Sequence, residues 1–138
     1  MTQLEEWFHM VISVMVVFLG AACDPCVNNC RLAADQLDRC ADAYAAAEAG
    51  LICWEDPEAR ATEEEFVQST MSELPWEPCA NGDEAYANCR ATLEARVEIN
   101  GPDWKKDHTE KCREYGKGLR EAAAGSCEDY LRFLGHEP

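Results

Sequence analysis

CRLAADQLDRC, residues 30–40, sets two cysteines nine residues apart, and CANGDEAYANC, residues 79–89, repeats that spacing. On an α-helix, ten positions rotate the chain by roughly 1000° and advance it by about 15 Å, which leaves the two sulfur atoms about 80° apart. Both cysteines of a pair can therefore face one neighbouring helix. If Cys79 lies at the entrance of its helix, an antiparallel arrangement predicts the disulfides Cys30–Cys89 and Cys40–Cys79.

The chain holds nine cysteines in 138 residues. Cys23 directly follows an apolar run, and the other eight form an even set for four disulfides. Because disulfides persist in oxidising compartments, this set predicts a location outside the cytosol. The pairing of the cysteines outside the two repeats stays open, since eight cysteines allow about a hundred connectivities. The predicted disulfide cysteines are Cys26, Cys30, Cys40, Cys53, Cys79, Cys89, Cys112 and Cys127.

Cap residues and apolar periodicity predict helices over most of the chain. Asp24 and Pro25 fit the N-cap and first turn of a helix whose apolar side chains recur at steps of three, four and seven. Asn81, Asp103 and Ser126 are placed to cap further helices. The predicted helices cover residues 25–49, 57–74, 82–99 and 104–124, followed by a short helix after residue 126.

The fold class follows from these helices and from the lack of strand patterns. No segment shows sustained alternation with β-branched residues, so we expect no sheet of consequence. The sequence predicts an all-α fold, a small disulfide-stapled helical bundle of four to five helices after an N-terminal apolar leader. Residues 1–22 are predicted to be a signal peptide or an N-terminal membrane helix, and residues 23–138 a cysteine-rich helical domain.

The leader contains the uncharged run MVISVMVVFLGAA at residues 10–22, which has the length of a signal-peptide core and is short for a membrane span. Small side chains precede Cys23, as a signal peptidase requires. The segment LGAAC, residues 19–23, resembles the lipobox of bacterial lipoproteins. This resemblance implies that Cys23 is the lipidation site and the new N-terminus, and that a lipid anchor binds the chain to a membrane.

Two other processing outcomes stay open. Ordinary cleavage after Ala22 would release a secreted protein, and an uncleaved segment over residues 7–22 would be a membrane helix. Residues 1–9 contain Glu5 and Glu6 and no Lys or Arg, whereas export signals normally begin with positive charge. Initiation at Met10 would remove both glutamates.

The repeated cysteine spacing also resembles the twin C-x9-C helical hairpins of the mitochondrial intermembrane space. The resemblance covers the cysteines at 30, 40, 79 and 89, with 38 residues between the two pairs. It implies a helical hairpin stapled by disulfides in an oxidising space. A membrane-tethered accessory subunit of a larger complex is therefore an alternative function.

The charge balance limits the partners that the protein can bind. Asp and Glu number 27 and Lys and Arg number 12, which gives a net charge of −15. A phosphate backbone or an acidic lipid surface would be repelled, so we predict no nucleic-acid partner. The simplest interpretation is a solvated acidic surface that keeps a small protein soluble.

No residue pattern predicts catalysis. No histidine has a catalytic or ligand partner at motif spacing, no serine lies in a nucleophile motif, and the glycines form no phosphate-binding loop. The histidines are His9, His108 and His136. His108, beside Trp104 and Cys112 on one predicted helix face, is expected to pack at the edge of the core. We predict no catalytic residue and a protein that is not an enzyme.

A thiol-based metal site is an alternative interpretation of the cysteines. Cys23, Cys26 and Cys30 place three sulfur atoms within eight residues, and the last two lie one turn apart, as in helical bundles that bind copper(I). The spacings typical of zinc, haem and iron–sulfur sites are absent from the sequence. We therefore predict no metal ligands and no cofactor.

Two tryptophans stand beside cysteines and prolines in predicted loops. We expect Trp54 and Trp76 to cover a small core rather than to anchor a partner. The sequence as a whole predicts a non-enzymatic secreted or lipid-anchored protein of the cell envelope with a binding or structural role. Its expected partners are the membrane, through the lipid anchor or the N-terminal helix, and an unidentified protein.

Overall fold

The computed structural model describes residues 24–62 and 74–137, and the leader with Cys23 lies outside them. The all-α class is confirmed, because helices dominate and four disulfides staple them together. The helices are α1 (Pro25–Arg39), α2 (Ala41–Ala46), α3 (Pro57–Thr62), α4 (Gly82–Ala124) and α5 (Cys127–Phe133). The strands are β1 (Ile52–Trp54) and β2 (Trp76–Pro78).

The predicted helix over residues 25–49 is wrong as a single element, because the chain bends at Cys40 between α1 and α2. Asp24 caps α1 as predicted, accepting hydrogen bonds from the N–H groups of Cys26 and Val27 at 2.9 and 3.2 Å. Cys40 leaves the helical region, with φ −107° and ψ 24°. Apolar periodicity could not show this bend, since the apolar side chains on both sides of it still face the core, including Tyr44.

The predicted acidic helix over residues 57–74 begins as α3, and the rest of it lies outside the described residues except at its last position. The predicted caps of α4 and α5 are confirmed. Asn81 accepts from the Glu84 N–H at 2.9 Å, and Ser126 accepts from the Asp129 N–H at 3.1 Å.

Helix α4 folds back on itself at Gly101. Two α1 cysteines one turn apart bond to distant points on α4, Cys26 to Cys112 and Cys30 to Cys89. In a straight helix, Cys89 and Cys112 would lie about 35 Å apart, too far for both bonds to form. Helix α4 is therefore a hairpin with a first arm, residues 82–100, and a second arm, residues 102–124, both packed on α1.

The backbone at Gly101 makes this reversal, with φ 85° and ψ −174°. That region is essentially restricted to glycine. Pro102 follows in helical conformation, which suits a proline at the first position of a helix. The predicted stop between the two helices is confirmed, but the cap role predicted for Asp103 is wrong because the second arm already includes Pro102.

The disulfide Cys30–Cys89 is present as predicted, whereas the prediction of Cys40–Cys79 is wrong. Cys40 lies at the bend after α1, where it faces α5 and bonds to Cys127. Cys79 follows β2 and bonds to Cys53 of β1, because the two strands pair antiparallel and bring these residues together.

The strands form a ribbon of three residues each, in the register Ile52 to Pro78. The Cys79 N–H donates to the Leu51 carbonyl at 2.8 Å and extends the pairing. Segments this short cannot show a period-two pattern, which is why the sequence did not predict them. This small ribbon is consistent with the expectation of no sheet of consequence.

The core lies where α1, α2, both arms of α4 and α5 meet. Its largest fully buried side chains come from the second arm and from α5, and sulfur atoms fill much of the remaining space. The central residues are Leu37, Tyr44, Leu119, Tyr130, Leu131, Cys40, Cys53 and Cys79. Within residues 24–62 and 74–137, no helix combines the length and the apolar character that a membrane span requires.

Candidate functional site

A cleft of about 520 Å³ lies between the two arms of α4. Helix α1 supplies its floor, the ribbon closes one side, and α5 contributes at the inner end. This volume lies within the range of roughly 300–1,000 Å³ that is typical of small-molecule sites. The main lining residues are Asn29, Ala33, Leu51, Ile52, Trp54, Ala85, Asn88, Thr92, Leu93, Arg96, His108, Lys111, Tyr115, Leu119, Tyr130 and Leu134, together with two cystines.

Glycines let both arms approach α1 closely on either side of this cleft. A side chain at Gly82 would collide with the Ala34 carbonyl oxygen and the Asp38 carboxylate, and one at Gly116 would collide with the Asn29 amide. The Gly82 N–H also donates to Asp38 Oδ1 at 2.8 Å. These contacts and the two cystines fix the spacing of the walls.

Half-buried amide side chains connect the walls to their neighbouring elements. Asn29 of α1 donates to the Cys112 carbonyl at 2.8 Å, which ties the floor to the second arm. Asn88 of the first arm donates to the Trp54 carbonyl at 3.0 Å, which ties that arm to the ribbon. The cleft is therefore built from elements that are joined by hydrogen bonds as well as by disulfides.

The charge of the cleft is opposite to that of the chain. Its side chains include the cations Arg96 and Lys111 and the imidazole of His108. Among the described residues, no Asp or Glu lines it, although the chain has a net charge of −15. Most of the remaining lining is aliphatic or aromatic. An apolar chamber with cationic groups can accept a ligand that is both apolar and anionic.

Two tyrosines that line the cleft are held in the neutral form. Burial raises the pKa of Tyr115, and burial raises the pKa of Tyr130 much further. Tyr130 is fully buried, and its hydroxyl lies near that of Tyr44 without meeting the geometry of a hydrogen bond. These phenols therefore add no negative charge to the cleft in the neutral pH range.

A second cavity of about 360 Å³ lies on the other side of Cys26 and His108. Its lining mixes both signs of charge, with Arg90 and Lys105 beside Asp24 and Glu94. Such a mixture gives no preference for one class of ligand. The Cys26 side chain thus borders both cavities, with the larger one as the better candidate for ligand binding.

The structure brings Cys26, His108 and Cys112 together at the wall of the cleft. Their sulfur and imidazole nitrogen atoms all lie within 4.8 Å of one another. His108 is half-buried and stacks on Trp104 with ring centroids 4.5 Å apart, in keeping with the expected position at the edge of the core. Its proximity to Cys26 was not predicted, because nothing in the sequence showed that the second arm returns to α1.

The sequence-predicted thiol cluster of Cys23, Cys26 and Cys30 does not form a set of free thiols in the described residues. Cys26 and Cys30 bond to different arms of α4, and Cys23 lies outside the described residues. The eight remaining cysteines are all paired, as the sequence predicted.

The two tryptophans predicted to lie in loops stand in the strands of the ribbon, and they differ in their surroundings. Trp54 lines the cleft, and the guanidinium of Arg60 lies 5.0 Å from the centre of its ring. Trp76 is 44% exposed on the ribbon, so the prediction that it covers the core is wrong. The antiparallel register places the two residues opposite each other at the end of the ribbon.

No protein-family model matches the chain, and neither the curated proteins nor the solved structures provide a match.

Proposed function

We propose that this chain is a non-enzymatic ligand-binding domain of the cell envelope, whose cleft binds an amphiphilic carboxylate such as a fatty acid. The observation that supports this proposal is the inversion of charge in the cleft. A chain with more than twice as many acidic as basic residues lines this cleft with two cations and an imidazole. Acidic residues of the described part are absent from the same lining.

The apolar walls suit the hydrocarbon part of such a ligand. Leu93 and Leu119 face the cleft from opposite arms, and Trp54 and Leu134 extend the apolar surface toward the ribbon and α5. Burial of apolar area contributes about 25 cal/mol per Å², so an alkyl chain gains affinity along its whole length. The bracing of the walls lowers the conformational cost of binding.

The cationic groups suit the head of the ligand. A carboxylate accepts charge-assisted hydrogen bonds from an ammonium or a guanidinium group, and these are worth about 1.5–3 kcal/mol each. Lys111 stands on the second arm, one turn of helix from His108 and beside Cys112, where its ammonium group can meet a carboxylate entering the cleft. Neutral alkyl ligands would lack this contribution.

The cellular setting follows from the disulfides and the leader. Four disulfides indicate an oxidising environment outside the cytoplasm. The lipobox-like segment before Cys23 supports a lipid anchor, with secretion or an uncleaved membrane helix as alternatives. The intact mass of the protein from its native host distinguishes these three forms. An anchored binding domain would meet amphiphiles at the membrane surface.

Calorimetric titration of the disulfide-intact chain with decanoate tests the proposal. We expect decanoate to bind more tightly than decanol, and decyltrimethylammonium to bind least, because only decanoate gains from the cations. Lys111→Gln should weaken decanoate binding about tenfold or more and leave decanol binding unchanged. The matched control is Lys117→Gln, which removes an exposed lysine of the same arm that does not line the cleft.

A further variant distinguishes the contribution of the alkyl chain to affinity from that of the carboxylate. Leu93→Ala should weaken decanoate and decanol alike, since it removes apolar wall and no charge. Equal affinity for decanoate and decyltrimethylammonium would contradict the proposal, and so would a chain that binds none of the three amphiphiles.

A further inference from the structure

Within residues 24–62 and 74–137, Cys26–Cys112 is the disulfide that forms a cluster of ligand atoms with a histidine. Among the described residues, Cys26, His108 and Cys112 form a group whose ligand atoms lie within 4.8 Å of one another. We propose that this disulfide is a redox-controlled metal site, in which reduction by a dithiol releases two thiols that bind Zn²⁺ together with His108. The three residues also line the cleft, but the inference rests on their geometry and not on the ligand proposed there.

The geometry of the three residues fits a zinc site. Zn–S bonds of about 2.3 Å and Zn–N bonds of about 2.0 Å place neighbouring ligand atoms about 3.5–3.8 Å apart. After reduction the two sulfur atoms, 2.04 Å apart in the disulfide, would have to separate to this spacing, and the His108 nitrogen already lies within 4.8 Å of both. His108 and Cys112 lie one turn apart on the second arm, and Cys26 faces them from α1, with 5.0 Å between the Cα atoms of the two cysteines.

Reduction of the disulfide and binding of Zn²⁺ require only the dithiol and the metal ion as reactants. A dithiol transfers two electrons to the Cys26–Cys112 bond, becomes a disulfide itself, and leaves two thiols on the protein. Binding of Zn²⁺ then releases two protons as both thiols become thiolates, while neutral His108 donates a nitrogen lone pair. Three protein ligands leave the fourth position open to water, as in zinc sites that exchange a ligand.

The rest of the fold can keep its shape while this one bond is open. Cys30–Cys89 lies one turn further along α1 and holds the first arm, and Cys40–Cys127 holds α5. The second arm keeps the hydrogen bond from Asn29 to the Cys112 carbonyl. Cys26 is buried, but its half-buried partner Cys112 lines the larger cavity, from which a small dithiol can approach the bond.

The trio has a fixed orientation before any metal binds. The Trp104 ring stacks on His108 with only 13° between the two planes, which restricts rotation of the imidazole. The Cys26 sulfur lies 3.7 Å from the His108 carbonyl oxygen. Such pre-positioning lowers the conformational cost of assembling a metal site.

Graded reduction of the full-length chain with a dithiol, followed by dialysis against Zn²⁺ and differential alkylation, tests the proposal. We expect about one Zn²⁺ per chain once the first disulfide has opened, with Cys26 and Cys112 protected from alkylation by the metal. His108→Ala should weaken Zn²⁺ binding about tenfold or more, since even loss of a residue that only orients a ligand costs that much. His136→Ala, in the C-terminal tail, should bind Zn²⁺ as the unmodified chain does.

Three outcomes would overturn the proposal. These are metal protection of a different cysteine pair, Zn²⁺ affinity that is unchanged in His108→Ala, and resistance of Cys26–Cys112 to reduction until helical circular dichroism is lost. The alkylation pattern of the unmodified chain decides the matter even if His108→Ala does not fold.

Discussion

Tyr44 and Tyr130 bring two phenols into the centre of a very small core. Both residues are almost completely buried, with exposed fractions of 2% and 0%, and the two rings meet edge to face at 6.4 Å between centroids. Among the described residues, neither hydroxyl has a partner that meets hydrogen-bond geometry, although each lies close enough to affect the pKa of the other. Burying an unsatisfied polar group costs free energy, so these hydroxyls oppose folding while the rings support it.

The expected effect of Tyr130→Phe follows from this conflict. The substitution keeps the ring and removes an unsatisfied hydroxyl, so the free energy of unfolding at pH 7 should stay equal or rise, by up to about 1 kcal/mol. Burial raises the pKa of Tyr130 in the folded state far above its unfolded value of about 10. The folded phenol therefore stays protonated while the unfolded one ionises.

The difference between the folded and unfolded pKa of Tyr130 destabilises the fold at alkaline pH. Below about pH 10 the raised pKa does not lower the free energy of unfolding. Above about pH 10 the free energy of unfolding falls as pH rises, because the unfolded chain releases a proton that the folded chain retains. Guanidinium unfolding measured at several pH values should show a shallower alkaline decline for Tyr130→Phe than for the unmodified chain. An unchanged decline would show that the phenol is not the responsible group.

Among the elements, the helical hairpin of α4 was only partly predictable from the sequence. Asn81 and Ser126 were recognised as caps because cap residues act within three positions of the chain. The stop at Gly101 and Pro102 was recognised for the same reason. The direction that the chain takes after the stop depends on long-range contacts, and so neither the return of the second arm nor the cleft could be predicted.

The cysteines show the same division between local and distant information. The spacing within each C-x9-C pair predicted the Cys30–Cys89 bond, because helical rotation fixes which residues share a face. It failed for Cys40 because a bend of one residue turned this side chain toward α5. The bonds to Cys112 and Cys127 join residues more than 80 positions apart, with separations of 86 and 87.

Among single positions of α4, Gly101 is the one whose substitution we expect to destabilise the hairpin most. Gly101→Ala should lower the free energy of unfolding by about 1–3 kcal/mol, because its backbone lies in a region that side chains other than glycine avoid. A Cβ at this position would meet no atom of the described residues within 4 Å, so the loss would report backbone strain rather than a steric clash. Denaturant unfolding under non-reducing conditions measures it.

The control for this substitution is Gly50→Ala. Its Cβ would make an ordinary contact with Pro78 at 3.8 Å, and its φ is not positive. We expect stability that is unchanged or higher by about 0.4–1 kcal/mol, since alanine reduces the freedom of the unfolded chain. Equal losses at the two positions would mean that the turn at Gly101 tolerates a side chain.

For the whole molecule, the disulfides compensate for a core with few large aliphatic side chains. Leu37, Leu119 and Leu131 are the buried leucines of the described part, and the cystines Cys40–Cys127 and Cys53–Cys79 pack in the same core. A disulfide adds about 2–4 kcal/mol, mainly by restricting the unfolded chain, while a domain of this size has a net stability of about 5–15 kcal/mol. The fold therefore depends on an oxidising compartment for much of its stability.

The size of each disulfide's contribution should follow the length of the loop that it closes. Replacing both Cys40 and Cys127 with alanine opens a connection that spans 87 positions, whereas replacing both Cys53 and Cys79 opens one of 26. In the chain-entropy model, the longer loop contributes about 1 kcal/mol more.

The first pair also holds α5, which carries the fully buried Tyr130 and Leu131, so its removal should cost about 3–5 kcal/mol and loosen the inner end of the cleft. Guanidinium unfolding of the two variants, each with its other three disulfides intact, should rank Cys53→Ala/Cys79→Ala as the more stable. The reverse order would place the main constraint in the ribbon, and decanoate affinity would then depend on the ribbon rather than on α5.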